Sequence, residues 1–240
     1  MKIRWNLFLQ MMPHIEEDAD IFIKSMEKYA DSGEEVHMLH KFEELSMDYV
    51  ARGAFGIDER FQGKPDHPAI AVAKATFRGC MTGPFHVIAQ CTTAFGALMK
   101  PLYWLSLYLG EYSFQSLNDQ TAKIIQMRKQ DPSVSPIRLS FIDLFFSFAG
   151  SPKSRALTTE EVINSASILF AAGFETTATA LSYIVYLLGK HPEVQERIRQ
   201  EIADVVADNG VLDYDVVMKQ ARYLAQVVDE ALRLYPPGLT

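Results

Sequence analysis

From Thr158 to Leu188 the chain carries no proline, and Gly189 and Pro192 follow at once. No other feature limits the fold so strongly. Thr158 and Glu161 stand at capping-box spacing, in which each side chain satisfies an amide of the other residue. The pattern predicts one helix over about 159–188. About 30 residues at 1.5 Å per residue make a rod of ~45 Å, against ~11 residues for an average helix. From Ile168 to Leu188 the rod is apolar on nearly every side, which predicts a path through a core rather than along a surface.

Nearly everything else also reads as helix, so the expected fold class is mainly α. Ile15, Ala19, Phe22, Ile23, Met26 and Ala30 recur on one stripe, closed by Gly33. Leu39, Phe42, Tyr49 and Val50 repeat the pattern, and a turn-rich segment, GIDERFQGKPDHP, follows. Pro68 opens a short helix over Ala69 to Arg78. Met81 to Ser116 is apolar and broken by Pro84, Gly96, Pro101 and Gly110, which predicts interrupted helices. The segment LNDQTAKIIQMRKQ reads as helix and DPSVSP as loop. Pro192 suits the first turn of the next helix, whose stripe is Val194, Ile198, Ile202 and Val205, with Glu193 and Arg197 as an outer pair. Asn209-Gly210 makes a turn. The last helix carries Leu224, Val227, Val228, Ala231 and Leu232, and Pro236-Pro237 ends it.

The chain has 240 residues, 48% hydrophobic and 22% charged, with a net charge of −7. That length is one large domain or two small ones. The acidic balance argues against a nucleic-acid binder, which carries a basic face. Cys80 and Cys91 lie in no CxxC pair, so they read as free thiols and not as zinc ligands. The first twenty residues make a poor signal peptide, because the apolar run is short and Pro13 interrupts it. No uncharged run reaches the ~18 residues of a membrane span, so no transmembrane segment is expected. Gly96 to Phe114 is rich in aromatics and fits either a core segment, the commoner use, or peripheral contact with a membrane.

The stretch AAGFETTATAL, Ala171 to Leu181, sits badly in a buried helix. Glycine costs ~1 kcal/mol there against alanine, and an unpaired carboxylate costs more. Ile168, Ala172 and Thr176 fall on one line at i, i+4 and i+8. A small residue one turn before a hydroxyl leaves room for a flat group, Gly173 beside it widens the space, and Glu175 can supply or relay a proton. A plainer reading stands next to this one: a threonine bonded to its own backbone and a glutamate that meets a buried arginine. In DEALRLYPP, Glu230 and Arg233 lie one turn apart, with Gln226 and Asp229, opposite Leu224, Val228 and Ala231. They make either a surface ion pair worth under ~1 kcal/mol or a pair that organises a loop packed over that face.

Ala172 to Thr177 resembles the central-helix motif of the cytochromes P450, small-Gly-x-acid-Thr-Thr, and Glu230-Ala231-Leu232-Arg233 resembles that family's Glu-x-x-Arg helix, with LRLYPP as its continuation. KHPEVQERIRQEI between them resembles the intervening helix, and LSMDYVARGAFGID an earlier helix with its loop. The closest likeness is to animal microsomal P450s that metabolise xenobiotics. The resemblance implies a partial P450 fold over 1–240, the central part of one domain, with haem b packed on the long helix. It implies a monooxygenase that inserts one oxygen atom from O2 into a small apolar substrate. Electrons then come from NADPH through cytochrome P450 reductase, at the endoplasmic reticulum membrane. By position, Ala172 and Gly173 lie against haem, Thr176 hydrogen-bonds the iron-peroxo group, and Glu175 helps deliver protons. Ile168 and Ala171 line the substrate pocket, and Glu230 and Arg233 hold the haem-side loop.

The family places its iron-ligating cysteine in a Gly-rich loop after the Glu-x-x-Arg helix. Cys80 and Cys91 have neither that position nor those surroundings, so no metal ligand is expected within these residues. The membrane anchor, most of the N-terminal sheet and a Trp-x-x-x-Arg helix are also unmatched; Trp5 is followed four residues on by Leu9. The expectation is a fragment cut at both ends, inactive and unable to hold haem stably on its own. The alternatives are a truncated non-catalytic P450-derived product and an unrelated helical binding or scaffold domain.

Overall fold

A computed structural model describes residues 2–57, 59–80, 88, 100–102, 104–105, 108–109, 114–130, 157–210 and 213–238. The described elements are helical: α1 (Lys2–Ser32), α2 (Met38–Val50) running into a π-helical turn (Ala51–Phe55), α3 (Pro68–Cys80), α4 (Phe114–Gln130), α5 (Thr159–Lys190), α6 (Pro192–Asn209), α7 (Tyr214–Gln220) and α8 (Arg222–Leu234). The mainly α expectation stands among the described residues, and so does the one long helix. The interrupted helices expected over Met81 to Ser116 fall mostly outside the described residues, as does the loop DPSVSP.

The long helix begins where the sequence places it. Thr158 Oγ1 accepts from Glu161 N at 3.2 Å, and Glu161 Oε2 accepts from Thr158 N at 2.8 Å. Its buried face carries Val162, Ala166, Ser167, Phe170, Phe174 and Ala178. That face packs chiefly on α2 and next on α4. Phe55 of the π turn meets Phe170 edge-on at 5.7 Å, and Phe170 stacks towards Phe174 at 6.5 Å. Ser167 Oγ donates to Thr121 Oγ1 of α4 at 2.9 Å, which satisfies a buried hydroxyl and sets the register of the two helices.

Two expectations about this helix are corrected. It does not run through the core: only 17% of its most apolar 18-residue stretch is buried, and Ile168, Tyr183, Val185 and Tyr186 are exposed. By length and composition it is also able to cross a membrane, where the sequence reading found no such segment. That reading counted uncharged runs, and Glu175 splits an otherwise uncharged stretch between Glu161 and Lys190. A spanning helix tolerates a single charge; so does a core helix.

The most enclosed helix is α2. Phe42 to Asp48 and Val50 are buried, so its acids are buried with its apolar stripe. The chain after the π turn folds back and supplies donors. Asp48 Oδ1 accepts from Phe61 N at 2.5 Å, its Oδ2 from Gln62 Nε2 at 2.9 Å, and Glu44 Oε2 from Gly63 N at 2.8 Å. Lys74 of α3 lies 2.5 Å from Glu43. The π turn ends at Gly56, whose φ of 65° suits glycine.

In α1, Pro13 sits inside a continuous helix. Phe22 stacks on Phe42 at 5.0 Å, whereas Ile23, expected on the buried stripe, is exposed. The outer pair expected between Glu193 and Arg197 does not form. Glu193 meets His191 at 3.2 Å, and Arg197 lies over the Tyr223 ring at 4.1 Å. The short α7, between Gly210 and the last helix, was not expected; Asp213 caps it by accepting from Val216 N at 2.8 Å.

Candidate functional site

Ile168, Ala172 and Thr176 lie along α5 on the line opposite its buried face. Ile168 is 57% exposed, Ala172 is exposed and Thr176 is half-buried. The Thr176 hydroxyl donates to the Ala172 carbonyl one turn back. Ser165 and Ser182 bond back to Glu161 and Ala178 in the same way, each at 2.7 Å. Such bonds loosen a turn slightly and satisfy the hydroxyl proton without a tertiary partner. They leave the Thr176 oxygen with unused acceptor capacity on an open face. Glu175, the one charge between Glu161 and Lys190, is half-buried beside this line.

Gly173 and Ala171 face elsewhere. A Cβ on Gly173 would come within 2.9 Å of Val50 Cγ2, so this glycine lets α5 and α2 cross closely. Ala171 packs at the edge of the aromatic core. The structure therefore brings Ile168, Ala172 and Thr176 together on one open surface and turns Ala171 and Gly173 towards the protein.

On α8, Arg233 Nε and Nη2 each donate to Glu230 at 2.7 Å, a two-pronged pair with both side chains exposed. The hydrogen bond from Arg233 holds the Glu230 carboxyl below its ordinary range. Glu230 also stands on the rim of an apolar groove of about 350 Å³ between α5, α6 and α8, lined by Leu187, Leu188, Val227, Ala231 and Leu234.

One residue the sequence reading missed positions α8. Glu201 of α6 accepts from Tyr223 N at 2.7 Å and from Leu224 N at 2.9 Å. It thus satisfies two first-turn amides that the N-cap Ala221 has no side chain to serve. An uncapped helix start with a carboxylate on an earlier helix was the available signal, but the partners lie 22 and 23 residues apart.

The residues present fit a flat apolar group. The middle of the open line is a methyl group, and its ends are Ile168 and a threonine whose hydroxyl proton is already bonded. Among the described residues no group of three or more His, Cys, Asp or Glu is placed to hold a metal ion. The Cys80 side chain and all of Cys91 lie outside them.

The cytochrome P450 family model matches residues 5–240, so the chain belongs to the cytochrome P450 family. Cytochrome P450 3A14 of Cavia porcellus is 30% identical over 232 residues, covering 95% of this chain and 45% of its own length. Cytochrome P450 3A7 of Homo sapiens is 27% identical over 233 residues, covering 96% of this chain and 45% of its own. The chain spans about half the length of these relatives.

Proposed function

We propose that this chain is the central helical part of a haem-thiolate monooxygenase that inserts one oxygen atom from O2 into a small apolar substrate. Haem b, when bound, supplies the oxygen activation, and electrons reach it from NADPH through cytochrome P450 reductase at the endoplasmic reticulum membrane. The observation that carries this reading is the open line Ile168–Ala172–Thr176 on α5, in a chain of this family.

The residues divide the work by their chemistry. Ala172 presents a methyl group where anything larger would hold the cofactor off the helix, and Gly173 lets α5 sit close on its α2 support. Thr176 breaks its bond to the Ala172 carbonyl and turns its hydroxyl proton outward. The carbonyl gives that proton a resting place between cycles. Glu175 shares the apolar surface with no other charge between Glu161 and Lys190, so its carboxyl is the local group able to pass a proton to the Thr176 hydroxyl. Ile168 presents apolar surface to the substrate side of that line, and Ala171 backs it from the aromatic core. Glu230 and Arg233, paired on α8, would hold the loop on the cofactor side.

The test is made on the native full-length protein. The reading expects the carbon monoxide difference spectrum of thiolate-ligated haem. It also expects Thr176→Ala to lower product formed per NADPH consumed by tenfold or more, and Thr176→Ser to restore most of it. A protein without haem, or a Thr176→Ala variant coupled as tightly as the native enzyme, contradicts it.

A further inference from the structure

The junction of α1 with α2 holds a buried charge cluster that the α5 site does not use. Asp18 of α1 is fully buried, and neither of its carboxylate oxygens accepts a hydrogen bond. Arg52 Nη1, on the π turn, lies 2.9 Å from Asp18 Oδ1 but gives its hydrogen bond to Glu17 Oε2 at 3.0 Å. Arg60 also binds Glu17. Asp48 of α2 is supplied by Phe61 N and Gln62 Nε2. Asp18 alone among these acids has a cation beside it and no donor. It faces a cavity of about 10 Å³ shared with Met11, His14, Tyr49 and Arg52, at the lower limit for one water. An anion buried without donors is costly, and protonation removes the cost.

We propose that this junction is a proton-binding site, in which Asp18 takes one proton from solvent as α1 docks, so that docking tightens as pH falls and loosens as pH rises. The proton joins a carboxylate oxygen, the side chain goes from an anion to a neutral acid, and no other bond changes. The groups that face it are His14 and Glu17 from α1, Asp48 and Tyr49 from α2, Arg52 from the π turn and Arg60 from the loop. Burial pushes the Asp18 carboxyl up from 3.8 to about 6, Arg52 opposes this, and Asp48 and Glu17 reinforce it. A carboxyl raised on folding stabilises the docked state fully below its unfolded value and loses that contribution as pH passes its folded value. The window is therefore from 3.8 to about 6. Arg52 shares the π turn with Phe55, whose ring packs on Phe170, two residues before Ala172. The junction thus reaches the helix that carries the site.

The experiment is amide hydrogen exchange of residues 14–26 in the native full-length protein at about pH 5 and about pH 7.5, corrected for intrinsic rates. Local opening is expected to rise about tenfold over that interval, to become independent of pH in Asp18→Asn, and to keep its slope in Glu17→Gln. A flat native profile, a slope that survives in Asp18→Asn, or one that vanishes in Glu17→Gln overturns the proposal. Should Asp18→Asn fail to fold, a carbon-13 carboxyl titration of native Asp18 decides: a midpoint near 6 supports the proposal and one below 4.5 overturns it.

Discussion

Gly173 has a packing role that its place in the sequence does not announce. Its place beside Ala172 reads in the sequence as extra room for a flat ligand, and Val50, the residue it meets, lies on another helix. A Cβ at 2.9 Å from Val50 Cγ2 forces a shift, and valine is stiff at χ1. Gly173→Ala is therefore expected to destabilise the protein by ~1–3 kcal/mol, and Val50→Ala in the same chain to recover part of that loss, both read from denaturant midpoints. Gly53 makes the contrast. Its added Cβ would meet only the Met11 Cε end of a flexible side chain, so Gly53→Ala is expected to cost less than Gly173→Ala by the same measurement. Thr158 was legible in full because its partner, Glu161, is three residues away. Thr158→Ala removes one side of a complete capping box and is expected to cost ~1 kcal/mol, visible as a lowered midpoint and faster exchange at the start of α5.

Among the elements, α5, α6 and the core of α1 follow from periodicity and punctuation. The buried acids of α2 do not. A 3.6-residue pattern assigns Glu43, Glu44 and Asp48 to solvent; their burial is made tolerable by the Phe61 amide at Asp48, the Gly63 amide and Lys41 at Glu44, and Lys74 of α3 at Glu43. Asp48→Ala is expected to leave the buried Phe61 amide unsatisfied, while Gln62 Nε2 keeps its bond to the Asp18 carbonyl, and to cost about 1–3 kcal/mol, with the loss measured by chemical denaturation. The start of α8 is hidden for the same reason, since its cap comes from another helix. Glu201→Ala is expected to release the Tyr223 and Leu224 amides, and hydrogen exchange should rise there without a matching change in α5. Unchanged protection at those two amides would mean that Glu201 does not hold the helix.

At the scale of the molecule, the long helix is packed on one face and exposed on the other among the described residues. α5 buries its Phe170 and Phe174 face on α2 and α4 and leaves Ile168, Tyr183, Val185 and Tyr186 exposed. Exposed apolar surface on this scale marks a binding face or an aggregation liability. The 240 residues expressed alone are expected to bind an apolar dye strongly and to sediment as aggregates without detergent; a monodisperse, dye-silent preparation would contradict that. The mainly α class and both motifs were legible because helices declare themselves locally. Which side of α5 stays open was not, because an all-round apolar helix gives no directional signal until its partners are placed. The central claim is that the open line is the cofactor side. The most direct measurement is a crystal structure of the native full-length protein with haem bound. The account predicts the haem in van der Waals contact with Ala172 and the Thr176 side chain turned towards it. A haem seated on the Gly173 side of α5, or away from α5 altogether, would contradict it.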